Sequence, residues 1–170
     1  MVGDIERVLE ALNAADVRYL VVGGVAVVLH GHLRTTADLD LVVQLERGNI
    51  LRAMRALTGI GYRPRAPVTA EAFADEEVRE SWVRDKGLTV FSLWSSSVPT
   101  LEVDLFVREP FSFVEVYERA LKVPLESTFA WVVSLPDLVA LKSQARRPHD
   151  LEDIEALRAL ETDDLGESQE

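Results

Sequence analysis

The chain of 170 residues has no cysteine. That excludes disulfide staples and thiolate zinc sites, and leaves carboxylates and three histidines, His30, His32 and His149, as metal-ligating side chains. Hard cations with oxygen ligands are favoured over zinc. Aromatic residues are sparse, and Trp82, Trp94 and Trp131 stand in apolar or amphipathic surroundings that suit packing rather than a base-stacking platform. Long apolar runs are also missing: "YLVVGGVAVVL" is interrupted by Gly-Gly and too short to span a bilayer. "MVGDIERVLE" lacks the basic-then-apolar order of a signal peptide, so a cytoplasmic protein without membrane attachment is expected. Basic residues are outnumbered, 18 against 29 acids, for a net charge of −11. Five of those acids fall in the last ten residues, "ETDDLGESQE", which leaves −6 for the rest. A broad nucleic-acid footprint is thereby excluded, although a local basic patch could still grip one phosphate-rich partner.

What is present fits one domain over residues 1–160, followed by an acidic tail over 161–170 that lacks apolar anchors and is expected to be disordered. Asp4 can cap a first helix with Ile5, Val8, Leu9 and Leu12 on one face. "RYLVV" reads as a strand, Gly23 and Gly24 as a turn, "VAVVLHG" as a short buried helix, and "ADLDLVV" as a second strand. "NILRAMRALTG" has helical periodicity, residues 70–87 read as one or two polar surface helices, and "LTVFSLW" and "TLEVDLFV" as two more strands. "FSFVEVYERAL" reads as a helix and "WVV" as a strand. Ser134 and Asp137 then form a capping box for "LPDLVALKSQA", and a last helix opens near Pro148.

The chemistry concentrates on strand faces. Leu39, Leu41 and Val43 alternate with Asp38 and Asp40, so the two carboxylates share the face opposite the core, and Asp104 occupies the same kind of position between Val103 and Leu105. If the two strands are neighbours, three carboxylates converge, and close carboxylates either raise one another's pKa or recruit a cation. A strand ending in Gly23-Gly24 lets backbone approach a phosphate at the start of the next helix. Arg34, Lys142, Arg146 and Arg147 are candidate partners for a triphosphate, and Lys142 and Arg146 share a face if their helix continues past Ala145.

"VVGGVAVVLHGHLRTTADLDLVV" followed by "LEVDLFV" resembles the signature of the nucleotidyltransferase superfamily, and "LPDLVALKSQARRPHDLEDIEAL" is similar to the charged helical segment of its AbiEii-like members, several of which are toxins of toxin–antitoxin pairs. The resemblance implies an α+β fold, a mixed sheet flanked by helices with a C-terminal helical segment. It implies one or two Mg²⁺ ions at Asp38, Asp40 and Asp104, and nucleoside triphosphate at Gly23, Gly24, Arg34 and Thr36, with Lys142 and Arg146 assisting. Asp150 and Asp153 complete a second charged cluster. Many relatives have Ser where Gly24 stands, so one phosphate-touching hydroxyl is absent. The expected activity is Mg²⁺-dependent transfer of a nucleoside monophosphate, with release of pyrophosphate, to an acceptor hydroxyl. RNA such as tRNA is the favoured acceptor, and an antitoxin protein is a possible partner. The alternatives are a protein or small-molecule acceptor such as an antibiotic, or a non-catalytic nucleotide-binding or interaction module.

Overall fold

In the computed structural model, which describes residues 2–167, eight helices and seven strands alternate irregularly along the chain. The strands are β1 (Tyr19–Val22), β2 (Asp38–Val43), β3 (Arg63–Pro64), β4 (Val90–Trp94), β5 (Glu102–Phe106), β6 (Leu121–Pro124) and β7 (Phe129–Val132). They form one mixed sheet in the order β3-β4-β5-β2-β1-β7-β6. β2 lies parallel to β5 and antiparallel to β1, so the two strands that carry the aspartates are adjacent in the middle of the sheet. Leu39, Leu41, Val103 and Leu105 are fully buried on one face. On the other, Asp38 is exposed and Asp40 and Asp104 are half-buried.

The helices are α1 (Val2–Ala14), α2 (Gly23–Leu29), α3 (Arg47–Gly59), α4 (Ala70–Ala74), α5 (Glu76–Lys86), α6 (Phe113–Glu118), α7 (Leu135–Ala145) and α8 (Pro148–Glu167). Among the described residues none is long and apolar enough to cross a membrane. Val8, Leu9 and Leu12 of α1 and Ile50, Ala53, Met54 and Leu57 of α3 fall at helical spacing and are buried, which is the packing that holds these helices in place. Glu46 caps α3 by accepting from the N–H groups of Gly48 and Asn49, and Ser134 caps α7 by accepting from that of Asp137.

Several expectations need correction. α1 begins at Val2, so Asp4 lies in its first turn and is not its cap. Gly23 and Gly24 are the opening residues of α2 rather than a separate turn. Residues 70–87 do form two helices, but they contribute Phe73 and Trp82 to a buried stack on Phe91, with centroid distances of 4.6 Å for Phe73–Phe91 and 5.8 Å for Trp82–Phe91. The segment "FSFVEVYERAL" is helical only over Phe113–Glu118. From Leu121 it becomes an edge strand that pairs with β7 and sets the Lys122 ammonium 4.1 Å from the centre of the Phe129 ring. The expected break after Leu160 is also absent: α8 continues to Glu167, because each added helical residue gains a hydrogen bond once the helix is nucleated. Residues 168–170 of the expected tail lie outside the described residues.

Candidate active site

A cavity of about 620 Å³ opens over the acidic face of β2 and β5, between the start of α2 and the α7–α8 pair. Asp40 and Asp104 are direct register partners across the parallel β2–β5 pair, and Asp38 lies one step back along the same face. The alternation that places three leucines inward from these strands therefore delivers all three carboxylates to one wall. Burial, then the charge of Asp104 and then that of Asp38, raise the Asp40 pKa from 3.8 to about 6, against the pull of Arg147 and Lys142. Asp104 is also raised, first by burial and then by Asp38. A hydrogen bond from Ser92 and the charge of Arg65 work in the opposite direction.

Gly23 and Gly24 serve these side chains directly. Gly23 has φ +66, and a Cβ built there would stand 2.1 Å from Asp40 Oδ2, so the Asp40 carboxylate occupies space that only glycine leaves open. A Cβ on Gly24 would stand 2.8 Å from Thr36 Oγ1 and 3.5 Å from Arg34 Cζ. Both glycines and both partners line the cavity. Thr36 also donates its hydroxyl to the Asp38 carbonyl at 3.1 Å, tying the loop before β2 to the strand.

The opposite wall is a ladder of charges. Lys142, 5% exposed, donates to Asp153 at 2.7 Å and to Asp150 at 3.4 Å. Asp153 also accepts from Arg34, and Asp150 accepts from the Arg147 side chain at 3.1 Å and from its backbone N–H at 3.0 Å. Burial opposes charge on Asp150, yet the Arg147 bonds and the Lys142 charge hold its pKa below the ordinary carboxylate range. Three cations against two anions leave this wall positive, facing three aspartates.

Most of the expected constellation is thus assembled: Asp38, Asp40, Asp104, Gly23, Gly24, Arg34, Thr36 and Lys142 line one cavity. Arg146 does not join them. α7 ends at Ala145, Arg146 turns into the left-handed region with φ 50, and its side chain reaches back to the Ser143 carbonyl at 3.2 Å. Arg147 takes the position at the cavity. His30 is occupied by the Val133 carbonyl at 2.9 Å, and His149 is an exposed residue at the cavity. Ser92 was not singled out from the sequence. Counting by twos along β4 from Val90 would have brought it to the acidic face. Phe106, two residues after Asp104, and Val90, its register partner, give the cavity an apolar flank.

Whether this donor set suits Mg²⁺ is answered by its chemistry. It offers only hard oxygen ligands on adjacent strands, and burial together with the charges of Asp104 and Asp38 disfavours the ionised form of Asp40, a condition that a divalent cation relieves. Among the described residues no three acidic or histidine side chains are drawn together as a ready-made cage.

A family model described as a nucleotidyltransferase of unknown function (DUF6036) matches residues 3–167. No curated protein matches the sequence. Among solved structures, the chain is similar to the lincosamide antibiotic adenylyltransferase LnuA in its lincomycin-bound crystal form, with a TM-score of 0.63 and 14% identity over 94% of this chain and 98% of that one. It is also similar to the antibiotic-resistance factor ANT(2'')-Ia. A solution structure of that protein gives a TM-score of 0.55 at 13% identity, covering 99% of this chain and 94% of that one. Its crystal complex with adenylyl-2''-tobramycin gives 0.55 at 13%, covering 94% and 93%. At these identities the likeness is one of fold: an α+β arrangement built on a mixed sheet.

Proposed function

We propose that this chain, which belongs to the DUF6036 family of nucleotidyltransferases, moves a nucleoside monophosphate from a nucleoside triphosphate to a hydroxyl group of a small acceptor molecule. The observation that carries the reading is the pairing of Asp40 with Asp104 beside Asp38, facing Lys142, Arg34 and Arg147 across one cavity. Asp38, Asp40 and Asp104 would hold Mg²⁺, which when bound neutralises charge on the triphosphate. Arg34, Lys142 and Arg147 hold the phosphates, with Gly23, Gly24 and Thr36 on the same side. Asp104 takes the proton of the acceptor hydroxyl, whose oxygen forms a new bond to the α-phosphorus. The bond from that phosphorus to the pyrophosphate oxygen breaks, and pyrophosphate leaves with its electron pair.

Two observations favour a small acceptor. The chain carries a net charge of −11, which repels RNA and suits a neutral or cationic acceptor. Solved structures that share its fold include a lincosamide antibiotic adenylyltransferase bound to lincomycin and an antibiotic-resistance factor in complex with adenylyl-2''-tobramycin. A second reading, transfer to RNA, is favoured by one feature: exposed Arg146 and Arg147 beside His149 form a basic edge at the α7–α8 junction. The AbiEii-like subtype and a toxin role rest on the sequence resemblance.

The test is to incubate the protein with each α-labelled nucleoside triphosphate and Mg²⁺, offering aminoglycosides, lincosamides and total RNA in parallel. Label should enter a small acceptor, and Asp40→Asn should abolish transfer. Label in RNA would select the second reading. No transfer together with no nucleotide binding would refute both.

A further inference from the structure

Asp104 is the acidic side chain that the proposed reading asks to do two jobs, and its geometry is set from the neighbouring strand. β4 runs antiparallel to β5, and Ser92 stands directly opposite Asp104 in that ladder. The Ser92 hydroxyl donates to Asp104 Oδ1 at 2.5 Å, the length of a strong bond from a hydroxyl to a carboxylate. Ser92 itself does not line the cavity, whereas Asp104 does. Its neighbour Glu102, two residues back on the same face, is drawn aside by an ion pair with Arg65.

Left alone, a carboxyl group at this position would turn freely about its last torsion, whose energy profile is broad. It would also swing away from Asp40 and Asp38, whose charges repel it. A donor fixed on Oδ1 stops both movements.

We infer that Ser92 is a positioning residue: by occupying Oδ1 it presents Asp104 to the cavity through Oδ2 alone, as a one-oxygen ligand or proton acceptor. The inference rests on the proposed metal-dependent transfer and adds a residue to it. The Ser92 hydrogen bond holds the carboxylate so that Oδ2 stays aimed at the cavity, and cross-strand pairing makes that orientation independent of the loops around the site.

The experiment is a titration of the free protein with Mn²⁺, used as the probe for Mg²⁺ and followed by electron paramagnetic resonance, on wild type, Ser92→Ala, Ser92→Thr and Asp104→Asn. Loss of an outer hydrogen bond to a metal ligand typically weakens metal affinity about 10- to 100-fold. Ser92→Ala should lie in that range while still melting cooperatively, with the midpoint lowered by only several degrees for the lost bond. Ser92→Thr, which keeps the hydroxyl, should recover affinity to within a few-fold of wild type. In the Asp104→Asn background Ser92→Ala should add no further loss, because its effect passes through Asp104. Should Ser92→Ala fail to fold, Ser92→Cys, with a weak donor of similar shape, makes the same comparison. Wild type that binds Mn²⁺ while the serine variants bind it equally well would overturn the inference and leave the transferase reading standing. Wild type that binds no Mn²⁺ would overturn both.

Discussion

Replacing Asp40 with asparagine should stabilise the metal-free protein while destroying its activity, and the size of that trade follows from the site. The Asp40 carboxyl is raised from 3.8 to about 6 by burial and by the charges of Asp104 and Asp38. Each tenfold change in acidity corresponds to about 1.4 kcal/mol, so keeping Asp40 ionised in the fold costs at most about 3 kcal/mol near pH 8. The sign is fixed by proton counting. Below pH 3.8 the carboxyl is protonated both folded and unfolded, and no penalty exists. Between 3.8 and about 6 the folded state keeps a proton that the unfolded chain releases, so stability falls as pH rises, and above 6 the full penalty is present. Asparagine has the same shape and no charge. At pH 8 in chelator, Asp40→Asn should therefore melt roughly 5–10 °C above wild type. The gap should shrink to about half in free energy at pH 5. Saturating Mg²⁺ should stabilise wild type and leave the variant little changed. Paired thermal melts at pH 5 and pH 8, with and without Mg²⁺, test each arm. A variant that is no more stable than wild type at pH 8 in chelator would refute the claim that burial and the neighbouring carboxylates together penalise the ionised Asp40 in the folded state.

Gly23→Ala should lower stability by about 1–2 kcal/mol, the cost of a side chain in left-handed backbone, and should abolish transfer by driving the Asp40 carboxylate from its place. Gly59→Ala, where a Cβ meets nothing within 4 Å, is the matched control and should be close to neutral in urea denaturation. Lys142→Met should cost about 3 kcal/mol, the lower end for breaking a buried pair, because Arg34 and Arg147 still face the buried Asp153 and Asp150. A loss under about 1 kcal/mol would argue against the ladder as a unit. Arg147→Ala should weaken nucleotide binding roughly tenfold, as expected for losing one charged hydrogen bond, whereas Arg146→Ala should leave it unchanged. Calorimetric titration with a non-hydrolysable triphosphate separates the two, and the reverse order would restore Arg146 to the site.

Period-two alternation made the three aspartates legible, because any strand that buries Leu39 and Leu41 must turn Asp38 and Asp40 outward. What alternation cannot state is which strands touch. The parallel register of Asp40 with Asp104 joins segments separated by α3, β3, α4, α5 and β4, and only the assembled sheet supplies it. The same limit hid Ser92, whose importance comes from its partner on β5. Local propensity also misjudged two boundaries. "ERAL" favours helix, yet residues from Leu121 pair with β7, since a sheet partner outweighs a weak intrinsic preference. Spacing suggested that Arg146 shares a face with Lys142, but a left-handed residue at 146 ends the helix and transfers that position to Arg147. The glycine pair was recognised for its freedom of backbone. Its reason, room for Asp40 and Thr36, belongs to atoms that meet only after folding.

The ladder of charges joins parts of the chain that are synthesised at very different times. Arg34 and the Asp153 that holds it are 119 residues apart. A nascent chain emerging from the ribosome exposes Asp38 and Asp40 early, Asp104 later, and Lys142, Arg147 and their carboxylate partners last. β1 waits as well, because β7, its neighbour on one side, is made after every other strand. For most of its synthesis the polypeptide carries the acidic half of the cavity with only Arg34 of the cationic half. Under the proposed reading, the capacity to hold a triphosphate arises only when the α7–α8 hairpin is made and docks.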